Sequence, residues 1–210
     1  MTYSLIAVFD EIIKENIAPY LKKQGFKKQH LNFYKTEGDL IFVINFQKNS
    51  YNSVDYVSFF INCGIYSSEI MRTIGESVLP NPKEYQCLFS NRINHLSGSK
   101  NKDFELTSSD ENSKKTLANT LILELKAAVN FYETIQTTDN LVDVCIEKGT
   151  YFWQEFLRYL AIKKDLKRLA QYVKNFGNIF KGDERRAWFE TEINRILVEN
   201  GVEKMFFEEE

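Results

Sequence analysis

Cysteine, histidine, proline and any surplus of charge are what this chain has little of. Among 210 residues there are three Cys, two His and three Pro. The cysteines, Cys63, Cys87 and Cys145, are odd in number and widely spaced, which argues against a disulfide framework and for reduced thiols inside a cell. Metal ligands come in close pairs because two of them must converge on one ion. His30 and His95 lie far apart and Cys87 to His95 has the wrong gap, so no built-in metal is expected. Lys plus Arg number 27 against 29 for Asp plus Glu, a formal net charge of −2. No global field therefore draws the chain onto nucleic acid or an anionic membrane. No apolar run approaches the ~18 residues of a membrane span. The opening MTYSLIAVFDEIIKEN has no basic lead and carries Asp10 and Glu11 where a leader stays apolar, so the expected compartment is the cytoplasm.

The standard catalytic and phosphate-binding patterns are also missing. Neither G-x-x-x-x-G-K-[ST] nor G-x-G-x-x-G occurs, which removes the usual phosphate cradles and leaves no expected cofactor. Ser97-Gly-Ser-Lys100 has S-x-x-K spacing, but that chemistry needs a helical turn and Ser-Gly-Ser is loop composition. Cys63 sits in an alternating strand pattern, where a cysteine serves as a small buried apolar residue, not as a nucleophile. No catalytic residue is assigned.

What the chain has is apolar mass: 43% hydrophobic and 14% aromatic residues, enough for one domain with an appendage or two small domains. Leu5, Phe9, Ile12, Ile13, Ile17, Tyr20 and Leu21 recur at helical spacing from Ser4 to Lys23, and Pro19 predicts a kink or short break there. From Phe26 the period becomes 2. The runs HLNFYKT and DLIFVINFQK flank Glu37-Gly38, which reads as a tight hairpin with Phe33 opposite Phe42 and Tyr34 opposite Ile41. Leu31, Phe33, Leu40, Phe42, Ile44 and Phe46 then share an apolar face; Asn32, Tyr34, Ile41, Val43, Asn45 and Gln47 share a mixed one. After the polar linker NSYNSVD, the strand YVSFFINCGI adds Val57, Phe59, Ile61, Cys63 and Ile65 to the first face and Tyr56, Ser58, Phe60 and Asn62 to the second.

Pro80-Asn81-Pro82 and SGSKNKD mark turning or loop segments, with one short strand between Tyr85 and Ile93. Ser108 to Glu111 fits a capping box before a long helix striped by Leu117, Leu121, Leu125, Ala128, Tyr132 and Ile135. Four further helices follow: Asp139 to Lys148, Tyr151 to Ile162, Asp165 to Phe176 closed by Gly177, and Asp183 to Asn200. The reading is an α+β fold: an antiparallel sheet of three or four strands packed by an N-terminal and a long central helix, then C-terminal helical hairpins. The domain division is 1–137 and 138–210.

The ordered series LKKQGFKK, NFYK, Asp39 to Lys48, FFINCGI and EYQCLFSNRI resembles the bacterial domain of unknown function 4304, over Leu5 to Tyr132. The resemblance implies no activity or cofactor. Small bacterial domains of this kind are associated with toxin and immunity neighbourhoods, and that association implies an immunity or regulatory protein.

Three readings of the mixed face stand side by side. In the first, Tyr34, Asn45, Gln47, Tyr56, Phe60 and Asn62 form the binding face of a non-enzymatic protein that contacts a protein partner, since tyrosine anchors and amides suit recognition. In the second, Asp39, Asn45, Gln47, Asn62 and Arg92 assemble a dispersed hydrolase or nucleic-acid-processing site. In the third, the C-terminal helices cover the face and make it a second core layer. A nucleic-acid partner has two weaker supports: Tyr34, Tyr56 and Phe60 as stacking platforms, and nine basic against three acidic residues between Arg158 and Arg186, including Lys163, Lys167, Arg168 and Lys174. The terminal MFFEEE, two aromatics before three acids, reads as a frayed end in preference to a docking tail for a basic partner.

Overall fold

The computed structural model describes residues 4–207. The first helical stretch is α1 (Leu5–Ile12), a π-helical turn (Ile13–Ile17) and α2 (Ala18–Lys23). The irregularity expected at Pro19 thus falls on the turn before it. Proline lacks an N–H and its ring crowds the carbonyl of the preceding turn, and the wider π turn relieves both constraints while the helix continues.

The sheet has six strands, more than the periodicity predicts. They are β1 (Lys27–Gln29), β2 (Asn32–Glu37), β3 (Leu40–Lys48), β4 (Val57–Ser67), β5 (Phe89–Arg92) and β6 (Phe104–Leu106), with α3 (Ser68–Thr73), a 3₁₀ turn (Glu84–Gln86) and α4 (Asn94–Ser97) between the later ones. The order is β1-β2-β3-β4-β5, all antiparallel, and β6 pairs with the first residues of β4. The short β1 and β6 went unread because three residues carry too little periodicity.

The hairpin between β2 and β3 turns on Gly38-Asp39, one residue later than expected, with Gly38 at φ 57°. Phe33 therefore faces Ile44 and Tyr34 faces Val43, in place of Phe42 and Ile41. The slip is two residues along β3, so every side chain keeps its expected face.

Beyond the sheet, α5 (Glu111–Glu133), α6 (Thr138–Lys148), α7 (Trp153–Lys163), α8 (Leu166–Ile179) and α9 (Arg186–Glu199) complete the chain. The cap of α5 is Asp110, whose carboxylate accepts from the Ser113 N–H at 2.9 Å; Ser108 donates to that carboxylate instead of capping the helix itself. The apolar sheet face is closed by α1, the π turn and α5. Phe9 lies edge-on to Phe59 at 4.7 Å, Tyr132 packs on Phe42 at 4.9 Å, and the Tyr132 hydroxyl donates to the Val43 carbonyl at 2.8 Å.

The C-terminal helices do not lie on the mixed face. They pack beside α3 and β5: Arg158 donates to the Ile74 carbonyl, Thr150 to that of Leu88, and the Ser67 and Thr138 hydroxyls meet at 3.1 Å. One continuous buried cluster runs from Leu5 to Phe207. Gly177 does not close α8 but lies inside it, because Phe207 occupies the space of a side chain there; an added Cβ would stand 2.6 Å from the Phe207 ring. As far as Phe207 the terminus is docked, not frayed, with Met205 N–H donating to Asn194.

Part of the mixed face is covered by the segment Leu79 to Cys87. The Leu79 N–H donates to the Tyr66 hydroxyl at 3.0 Å, and Cys87 sits over Gly64, where an added Cβ would meet Sγ at 2.7 Å. The substitution Gly64→Ala is expected to destabilise the fold by about 1–3 kcal/mol, read as a melting temperature lower by several degrees. Adding Cys87→Ala removes the nearest clash, so the double variant should lose less than the sum; strict additivity would contradict this packing.

Candidate functional site

Antiparallel pairing places residues directly opposite one another on the same face. On the mixed face this produces one line of polar side chains across five strands: Gln29 opposite Asn32, Asn32 opposite Asn45, Asn45 opposite Asn62, and Asn62 opposite Arg92. The amides of β2, β3 and β4 are bonded to one another. Asn45 Nδ2 donates to Asn32 Oδ1 at 2.8 Å, and Asn62 Nδ2 donates to Asn45 Oδ1 at 3.2 Å and to Gln47 Oε1 at 2.8 Å. Asn45 and Asn62 are half-buried and Gln47 is exposed.

Two aromatic residues lie to one side of the line, before Asn62 in the chain. Phe60, opposite Gln47 and half-buried, carries the Arg92 guanidinium 3.9 Å from its ring centre. Tyr56 donates to Glu105 Oε1 at 2.7 Å, and that bond to a carboxylate holds the Tyr56 phenol above its ordinary range. Ser58, between them, is buried because Asn52 grips its backbone from both sides, donating to its carbonyl and accepting from its N–H.

Five of the six residues singled out by period, Asn45, Gln47, Tyr56, Phe60 and Asn62, therefore gather on one open area. Tyr34 does not belong to it. It is 7% exposed, and burial, with Cys87 and Glu84 nearby, pushes its phenol up. The covering segment lies over the part of the face that holds Tyr34, Val43, Gly64 and Tyr66, a contact between residues distant in sequence that no local pattern reveals. Of the dispersed set, Asn45, Gln47, Asn62 and Arg92 converge. Asp39 stands apart in the β2–β3 turn, paired with Arg72. Gln29 and Glu105 complete the area, and Asn32, buried, holds the Asn45 amide from below; Asn32 was legible as a member of the mixed face, whereas Gln29 and Glu105 lie on the two unread strands.

A cavity of about 800 Å³ lies elsewhere, walled by Phe89, Trp153, Phe176, Phe180 and Phe189, beside β5 and the C-terminal helices, and none of the five gathered residues lines it. The basic residues of those helices are in part neutralised within the fold. Arg168 meets Asp139, Asp143 and Asp165 at 2.8, 2.9 and 3.3 Å, and Lys163 meets Glu69 at 3.8 Å. All three cysteines are free and buried, and burial pushes Cys63 and Cys145 up to about 12 and Cys87 upward as well. Among the described residues no helix is long and apolar enough to cross a membrane.

Residues 17–133 match the family model described as domain of unknown function (DUF4304). No curated protein and no solved structure matches the chain.

Two outcomes are expected from this geometry. Asn45→Ala and Asn62→Ala should each cost about 1 kcal/mol, with a coupling of about 0.5–1 kcal/mol in the double-variant cycle by chemical denaturation; a coupling of zero would deny the bond between them. Because nucleophilic attack requires the thiolate, the native protein at mildly alkaline pH should leave all three thiols unlabelled by a disulfide reagent, and unfolding should release them together.

Proposed function

We propose that this chain, which belongs to the DUF4304 family, is a non-enzymatic binding protein of immunity or regulatory type in the bacterial cytoplasm, and that the open part of its mixed sheet face is what a protein partner contacts. The observation that carries this reading is the set of bonded amides, Asn45, Asn62 and Gln47, tied to the buried Asn32 and left open beside Phe60, with Tyr56 farther along the same strand. Aromatic anchors among hydrogen-bonding groups are the composition of protein interfaces. The mutual bonds also fix the amide rotamers before any partner arrives, which lowers the ordering cost of association.

A hydrolytic reading has less support. A general base must stand within hydrogen-bond reach of the reacting group. Asp39 lies six residues along β3 from Asn45, about 20 Å at strand rise, and is engaged by Arg72. Glu105 is engaged by Tyr56. The polar centre is thus amide and guanidinium, which orient and bind but do not abstract protons at neutral pH.

Co-expression with the products of neighbouring genes, followed by pull-down, tests the reading. The wild-type chain is expected to retain a discrete protein, and Gln47→Glu, which keeps an acceptor for the Asn62 amide but puts a negative charge on the open face, should weaken retention by about tenfold or more. Recovery of no partner, together with no phenotype on deletion, would count against it.

A further inference from the structure

We infer that Arg92 anchors a carboxylate of the partner, and that this carboxylate belongs to an extended acidic peptide segment laid along the amide line. The inference rests on the open sheet face being the binding surface and goes on to name the chemistry of what binds there.

The arginines of this chain are mostly occupied. Arg72, Arg158, Arg168, Arg185 and Arg195 each hold at least one carboxylate. Arg92 differs: among the described residues its guanidinium makes no hydrogen bond and no ion pair, and its contact is the face of Phe60. A guanidinium stacked on a ring keeps its N–H edges free. Those edges form a planar fork that matches a carboxylate with two parallel hydrogen bonds. Stacking also removes much of the side-chain freedom that an exposed arginine would lose on binding.

The surroundings specify more than an anion. Arg92 ends a line whose other members are uncharged amides, and Glu105 on the same face is bonded to Tyr56. Lys27, on the same face at the other end beside Gln29, adds a second exposed cation. The internal bonds leave Asn32 Nδ2, Asn62 Oδ1 and Gln47 Nε2 unused among the described residues. Donors and an acceptor of this kind complement the N–H and C=O groups of a peptide backbone. Four interstrand spacings of about 4.8 Å give the line a length of about 19 Å, the span of roughly six extended residues. A line of neutral amides with Arg92 at one end and Lys27 two residues off the other complements an extended chain that carries acidic side chains.

The test follows side-chain resonances by NMR in the full chain. The probe is a capped octapeptide alternating Glu with Ser, compared with its Gln-for-Glu counterpart and with a short oligothymidylate. The Glu peptide should shift the Arg92 Nε–Hε signal and the Asn62 and Gln47 amides, saturating with a dissociation constant on the order of 1 mM or tighter. The Gln peptide should bind at least about fivefold more weakly, and Arg92→Gln should abolish the preference for Glu. Arg92→Lys, which keeps the charge but loses the fork, should restore it only in part. An Arg92 signal that stays still would overturn the proposal. So would Arg92→Gln that lowers the melting temperature while leaving the peptide response intact, which is what mere shielding of Phe60 predicts, or oligothymidylate that shifts the same signals at lower concentration than the Glu peptide. Gln47→Glu separates the two levels: if it lowers partner capture while Arg92→Gln does not, the surface stands and the acidic anchor falls.

Discussion

The antiparallel ladder between β3 and β4 is the interaction from which the rest of the molecule follows. It runs through nine consecutive pairs, from Leu40 with Ser67 to Lys48 with Phe59. Because side chains alternate with a period of 2, this one register decides at once what is core and what is surface. It sets Phe42 opposite Ile65, Ile44 opposite Cys63 and Phe46 opposite Ile61 beneath the helices, and by the same count sets Asn45 opposite Asn62 on the far side. A slip of one residue that turned β3 over would bury Asn45 under the helices and expose Phe42 and Phe46, so the cost of burying an unbonded amide and the loss of apolar burial enforce the same register.

The far side of the ladder is divided by a steric detail. Gly64 lacks the side chain that would collide with Cys87, so the chain before β5 lies flat on the sheet and buries Tyr34, Val43 and Tyr66. Where that cover ends, the strands continue and their outward side chains become polar. The amides satisfy one another across three strands, which keeps a half-buried line free of the penalty of unpaired groups. The same bonds tie the line together and leave its outer atoms and the Arg92 guanidinium unpaired among the described residues. On the proposed function, structure and recognition draw on the same residues, and removing one amide touches both.

Much of this was legible in the residues. Period 2 in DLIFVINFQK and YVSFFINCGI sorted both faces correctly even though the hairpin turn lies one residue later than its glycine suggested, since a slip of two residues leaves parity intact. The stripe from Leu121 to Tyr132 located the central helix. What escaped had no local signature: two three-residue strands, the cover over Tyr34, and the room that Gly177 makes for Phe207 are set by contacts between distant segments. The mixed face was visible as a set of residues, but which half of it stayed open was decided by tertiary packing, and Arg92 acquires its meaning only from the ring beneath it.

Site-specific photo-crosslinking in living cells maps the contact surface most directly. A photoreactive residue would replace, one at a time, Gln47 and Gln29 on the open area, Thr36 near the covered half, and Lys167 on the C-terminal helices. The expected result is a discrete protein adduct from Gln47 and Gln29 and none from Lys167. Adducts confined to Lys167, or none from the sheet positions, would contradict the assignment of the open sheet face as the surface through which this protein acts.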